Sequence, residues 1–98
     1  MPYSVRYSTR AYIEYEEILG YVTDKFGISI GVKVDAYFEE VINQIAINPF
    51  LYPFSDKNKN LRRCVISHQT TLYYRFSGEY VELISFRGNK MNPKTFGL

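Results

Sequence analysis

The chain has 98 residues, enough for one domain, and it is 46% hydrophobic and 22% charged, with six glycines and four prolines. That balance excludes a disordered, collagen-like or low-complexity chain. The formal net charge is only +2, which excludes a strongly polycationic protein, and the single cysteine, Cys64, excludes an internal disulfide or a cysteine-rich metal centre.

Tyr3–Tyr7 alternates apolar and polar residues as a half-buried strand does. Ser8 then offers a helix N-cap. Ala11, Tyr15, Ile18, Leu19, Val22 and Phe26 recur at three- and four-residue spacing, while Glu14, Glu16, Glu17 and Asp24 fall off that stripe, so an amphipathic helix is predicted up to Gly27. Ser29 is the expected cap of a second helix with Ile30, Val34, Phe38, Val41, Ile42 and Ile45 as its apolar stripe. Asn48-Pro49 ends that helix, because the residue before proline is pushed out of the helical region. The short link at Gly27 makes the two helices an antiparallel hairpin.

Residues 48–60 read as a loop, with two prolines and a polar Lys/Asn run. Three strand-like segments follow, Leu61–Ile66, Thr70–Phe76 and Glu79–Phe86, the last two joined by a tight turn at Ser77-Gly78. Residues 87–98 form a basic and polar tail. The expected architecture is one α+β domain over residues 1–98, in the order β-α-α-β-β-β. It has an antiparallel sheet, the two-helix hairpin on one of its faces, and the first strand at or near an edge.

Charge is unevenly placed. Residues 1–50 carry four basic against seven acidic side chains, and residues 51–98 carry eight basic against three acidic. An anionic partner, nucleic acid or an acidic protein segment, is expected on the second half. Ten tyrosines suit half-buried contact surfaces. Neither a signal peptide nor a membrane span is expected, so the chain reads as cytoplasmic, with no membrane partner, metal or cofactor.

Several phrases in order resemble the RelE/ParE toxins of bacterial type II toxin–antitoxin pairs, and the ParE-type branch in particular. They are Tyr3–Tyr7 with Ser8 and a helix bearing Ala11, Ile18 and Tyr21; Ile45-Ala46-Ile47-Asn48-Pro49; Leu61-Arg62-Arg63-Cys64-Val65-Ile66; Tyr73-Tyr74-Arg75-Phe76; and Phe86-Arg87 through Asn92-Pro93. The resemblance implies a growth-inhibiting toxin, of the kind associated with plasmid stabilization, held inactive by a cognate antitoxin protein. It also implies one of two targets. ParE-like members poison DNA gyrase by binding; RelE-like members cut messenger RNA on the ribosome.

RNA cleavage through the 2′-hydroxyl needs a base, an acid and cations for the phosphate. Matching the Tyr-Tyr-Arg-Phe strand to the family places Thr71 where the ribonuclease branch has an arginine and Cys64 near one of its lysine positions. Arg62 falls near another basic position, and after Tyr80 the tail offers Phe96 but neither Tyr nor His. The nuclease set is thus incomplete, which favours the gyrase branch. If the chain is a ribonuclease, Arg62, Arg75, Arg87 and His68 are its candidates. Arg62, Arg63, Tyr73, Arg75, Arg87 and Lys90 are the candidate contacts to target or antitoxin.

Each candidate has a structural alternative. Arg62 and Arg63 are adjacent on a strand and point to opposite faces, so only one lines a given surface. Arg75 can instead pair across strands with Glu82 or Glu79. His68 can be a turn residue, Cys64 a small buried hydrophobe, and Arg87, Lys90 and Lys94 a solvated terminus. A family member that binds its antitoxin without being toxic is a third possibility.

Overall fold

The computed structural model describes residues 2–67 and 69–88. The elements are β1 (Ser4–Tyr7), α1 (Thr9–Phe26), α2 (Ile28–Ile47), β2 (Arg62–Ser67), β3 (Thr70–Phe76) and β4 (Tyr80–Gly88). Ser8 caps α1 by accepting from the Ala11 N–H at 2.9 Å. Gly27, at φ 96°, closes α1, and its N–H donates to the Thr23 carbonyl. The same glycine is also the N-cap of α2, which starts at Ile28 rather than after Ser29. No side chain caps that end; a positive φ lets one residue turn the chain directly from helix to helix.

The sheet order is β1-β4-β3-β2. The β2–β3 and β3–β4 pairings are antiparallel as expected, but β1 lies parallel to β4, from Ser4 beside Tyr80 to Tyr7 beside Leu83. The sheet is therefore mixed rather than wholly antiparallel. The direction of α2 forces this. Its last turn returns to where β1 begins, the Tyr3 N–H donating to the Ala46 carbonyl at 2.8 Å. The meander then starts from that end, and its third strand must run as β1 does.

Both helices pack on one face of the sheet. Ala11, Tyr15, Ile18 and Val22 of α1 and Phe38, Val41, Ile42 and Ile45 of α2 meet Cys64, Ile66, Leu72, Tyr74, Val81, Leu83 and Phe86 in a single core. Both apolar stripes read from the sequence are thus the buried ones; Leu19, Phe26, Ile30 and Val34 are half-buried at their margin. The antiparallel pairings contain two irregularities. Tyr73 faces Ser85 while Tyr74 faces Leu83, leaving Ile84 unmatched; Val65 faces Thr71 while Ser67 faces Thr70, leaving Ile66 unmatched. The helical layer satisfies the carbonyl of each extra residue. Ser8 Oγ donates to the Ile84 carbonyl and Tyr37 Oη to the Ile66 carbonyl, each at 2.8 Å.

Candidate functional site

The Ile84 bulge changes which side chains face away from the helices. Beyond it Phe86 turns into the core, stacked on Phe38 at 6.1 Å, and Arg87 is delivered to the helix-free face opposite Thr71. Strand alternation brings Arg63, Thr71 and Tyr73 to the same face. With Ser55, Asp56 and Lys57 of the preceding loop they enclose an open cleft of about 380 Å³, lined also by Arg87. A neighbouring recess of about 420 Å³ shares Ser55, Lys57, Tyr73 and Arg87 and reaches Arg10 at the start of α1.

The cleft is electropositive. Lys57, Arg63 and Arg87 face one acid, Asp56, and among the described residues none of these three cations makes an ion pair. Arg10 at the rim is held by Glu14, Nε to Oε2 at 3.1 Å. Glu14 Oε1 also accepts from Ser85 Oγ at 2.8 Å and from the Phe86 N–H at 3.0 Å, which ties α1 to the strand just before Arg87. The floor is polar but uncharged: Thr71 is buried and Tyr73 half-buried. Exposed cations around a hydroxyl-bearing floor suit a phosphate or carboxylate ligand.

The sequence candidates divide. Arg63, Tyr73 and Arg87 meet in the cleft. Arg62 points the other way: its Nη1 donates to the Tyr52 carbonyl at 2.8 Å, and its guanidinium lies over the Phe54 ring at 4.1 Å and the Phe50 ring at 5.2 Å. Arg75 is paired with Glu82, Nε to Oε1 at 2.7 Å, the cross-strand alternative foreseen for it. His68, Lys90, Lys94 and Phe96 lie outside the described residues. No sequence pattern distinguishes Lys57, Ser55 or Arg10 as site residues; the Lys/Asn run signals only a loop.

No protein-family model matches the sequence, and no curated protein matches it either. Solved structures do. A chain described as "Chromosomal ParDE TA system from P. aeruginosa" superposes with a TM-score of 0.76 at 10% identity, covering 90% of this chain and 97% of that one. A "YoeB/ParE toxin from Agrobacterium tumefaciens" gives 0.64 at 15% identity over 89% and 99% of the two chains. The "E. coli DinJ-YafQ toxin-antitoxin complex" gives 0.61 at 8% identity over 90% and 93%. The fold is that of the RelE/ParE toxins.

Two features of this RelE/ParE fold bear on the ribonuclease branch. Thr71 lies in the cleft, where the resemblance implies an arginine for that branch, so the floor there carries no charge. Cys64, near an implied lysine position, is fully buried in the core and cannot line the cleft. Burial pushes its thiol pKa up, and a hydrogen bond with Tyr52 offsets this only in part. A protonated, enclosed thiol is a packing group and not a nucleophile. Among the described residues no helix is long and apolar enough to cross a membrane, and no three His, Cys, Asp or Glu side chains gather as a metal site.

Proposed function

We propose that the chain is the toxin of a bacterial type II toxin–antitoxin pair and that it inhibits DNA gyrase by binding, without covalent chemistry. The observation that carries the second part is the dispersal of the ribonuclease candidates. Arg62 is committed to the Tyr52 carbonyl and two rings, and Arg75 to Glu82, so Arg87 alone of the described candidates lines the cleft. General acid–base catalysis needs its groups within hydrogen-bond reach of one reacting centre. The P. aeruginosa ParDE chain and the DinJ–YafQ complex, both from toxin–antitoxin systems by their descriptions, support the first part. An acidic segment of a cognate antitoxin suits the Lys57–Arg63–Arg87 cleft, whose three cations make no ion pair among the described residues.

Purified chain added to a gyrase supercoiling reaction is expected to inhibit it, and added to ribosomes loaded with message is expected to leave the message intact. Intact supercoiling activity rules out the gyrase reading. A second reading, ribosome-dependent cleavage of messenger RNA, draws on the same three cations gathered around Tyr73. Message cleavage that disappears in Arg63→Ala and in Arg87→Ala would establish it in place of the first.

A further inference from the structure

The segment between α2 and β2 presents large apolar side chains to solvent although it is firmly built. Phe50 is 63% exposed, Leu51 46% and Phe54 53%. Phe50 and Phe54 share the Arg62 guanidinium and Leu51 adjoins Phe50, so these exposed apolar side chains form a patch of the kind that marks an interaction site on a small domain. The backbone beneath them is pinned: Ser55 N–H donates to the Leu61 carbonyl at 2.7 Å, Arg63 N–H to the Pro53 carbonyl at 2.9 Å, and Leu51 N–H to the Asn48 carbonyl at 3.1 Å. Tyr74, buried, donates its hydroxyl to the Pro49 carbonyl at 2.9 Å, and Phe50 packs edge-on against Phe76 at 5.5 Å. A surface ordered before binding loses little conformational entropy on association, which is the property of an anchor site.

Charge indicates the occupant. Asp56, Lys57 and Arg63 line the cleft, and the charged side chains that residues 48–63 keep outside it, Lys59 and Arg62, are both basic. The Arg62 guanidinium, lying over both Phe50 and Phe54, puts positive charge directly beside the apolar patch. We infer that this loop platform, on the opposite side of β2 from the Arg63 side chain and its cleft, docks an acidic protein surface that supplies an apolar anchor to Leu51 and Phe54. This rests on the reading of the chain as a toxin that acts by binding, and it assigns the target, as distinct from the antitoxin, to the platform. Apolar contact would supply affinity, and the acids would supply steering and register.

The test is growth arrest from an inducible copy of the chain in bacteria, with the fold of each purified variant checked by circular dichroism. Leu51→Ser combined with Phe54→Ser is expected to raise the inducer level needed for arrest on the order of tenfold or more, the size of a lost anchor. Lys59→Glu leaves the loop's packing alone and is expected to raise it in the same direction. Ile28→Ser and Val32→Ser, at 75% and 63% exposed positions on α2, are expected to change nothing. Wild-type arrest that survives both loop variants, folded, overturns the docking surface and leaves the toxin reading standing. No arrest by the wild-type chain overturns the toxin reading and this inference with it. Co-sedimentation of the wild-type chain with anionic phospholipid vesicles, lost in Leu51→Ser/Phe54→Ser, would assign the patch to a lipid surface and overturn the protein occupant.

Discussion

Ser85 on β4 donates its hydroxyl to Oε1 of Glu14 on α1 across 2.8 Å, and the Phe86 N–H reaches the same oxygen at 3.0 Å. One carboxylate thus receives a hydroxyl and a backbone amide from the strand while its other oxygen holds Arg10. Glu14→Ala would leave the Phe86 amide and the buried Ser85 hydroxyl without a partner. The expected cost is about 1–3 kcal/mol for an orphaned buried donor, read as a lower midpoint in urea unfolding. Ser85→Ala removes a donor rather than an acceptor and is expected to cost less.

The single Tyr15 hydroxyl proton lies between Asp35 Oδ1 and Glu39 Oε2, both within hydrogen-bond reach, and Tyr7 donates to the same Glu39 oxygen. Burial first, then these hydrogen bonds and carboxylate charges, raise both phenol pKa values above the ordinary 10.0. From about pH 10 the unfolded chain loses these protons while the folded chain keeps them, so stability falls as pH rises from there. Tyr15→Phe is expected to destabilise the chain at neutral pH by about 1 kcal/mol and to flatten the alkaline fall. Thermal melts across the alkaline range, with tyrosinate absorbance as the titration signal, read both effects. An unchanged alkaline slope would remove Tyr15 from the account.

Arg62 is expected to behave as a structural residue. Arg62→Ala loses a charge-assisted hydrogen bond to the Tyr52 carbonyl and the contact with two rings, a cost of about 1–3 kcal/mol in unfolding free energy. Arg62→Lys is expected to recover only part of it, because an ammonium does not stack flat on a ring. A variant with wild-type stability would show that the stacking contributes nothing.

At Gly31 α1 and α2 approach closely: a Cβ there would overlap Thr23 Oγ1. Alanine gains about 1 kcal/mol of helix propensity, but overpacking costs about 1–3 kcal/mol, so Gly31→Ala is expected to be neutral to destabilising. Adding Thr23→Ala clears the space and is expected to leave the double variant more stable than Gly31→Ala alone. A double-mutant cycle by urea unfolding measures that coupling, and simple additivity would refute the contact.

The helices were legible because burial against a single sheet imposes a 3.6-residue period, visible in Ala11–Tyr15–Ile18–Val22 and Phe38–Ile42–Ile45. The parallel β1–β4 pairing was not, since no local pattern records at which end of the sheet α2 finishes. Strand alternation already separated Arg62 from Arg63. It could not foresee the extra residue at Ile84, which needs Ser8, 76 positions earlier, to satisfy its carbonyl and which decides where Arg87 emerges. Nor could it foresee the partner of Arg62. That depends on a proline-containing loop doubling back so that Phe54 bridges to the start of β2.

The pairing of β1 with β4 also sets a timetable. A ribosome making this polypeptide exposes β1 first, yet the backbone partners of that strand, Tyr80 to Leu83, are synthesised tens of residues later. Until then Val5 has no strand beside it, and α1 lacks both Ser85 and the Phe86 amide for Glu14. Folding must close that long circuit at the end, and such non-local closure is slow. A nascent chain would therefore keep β1 unpaired until translation of β4 was done.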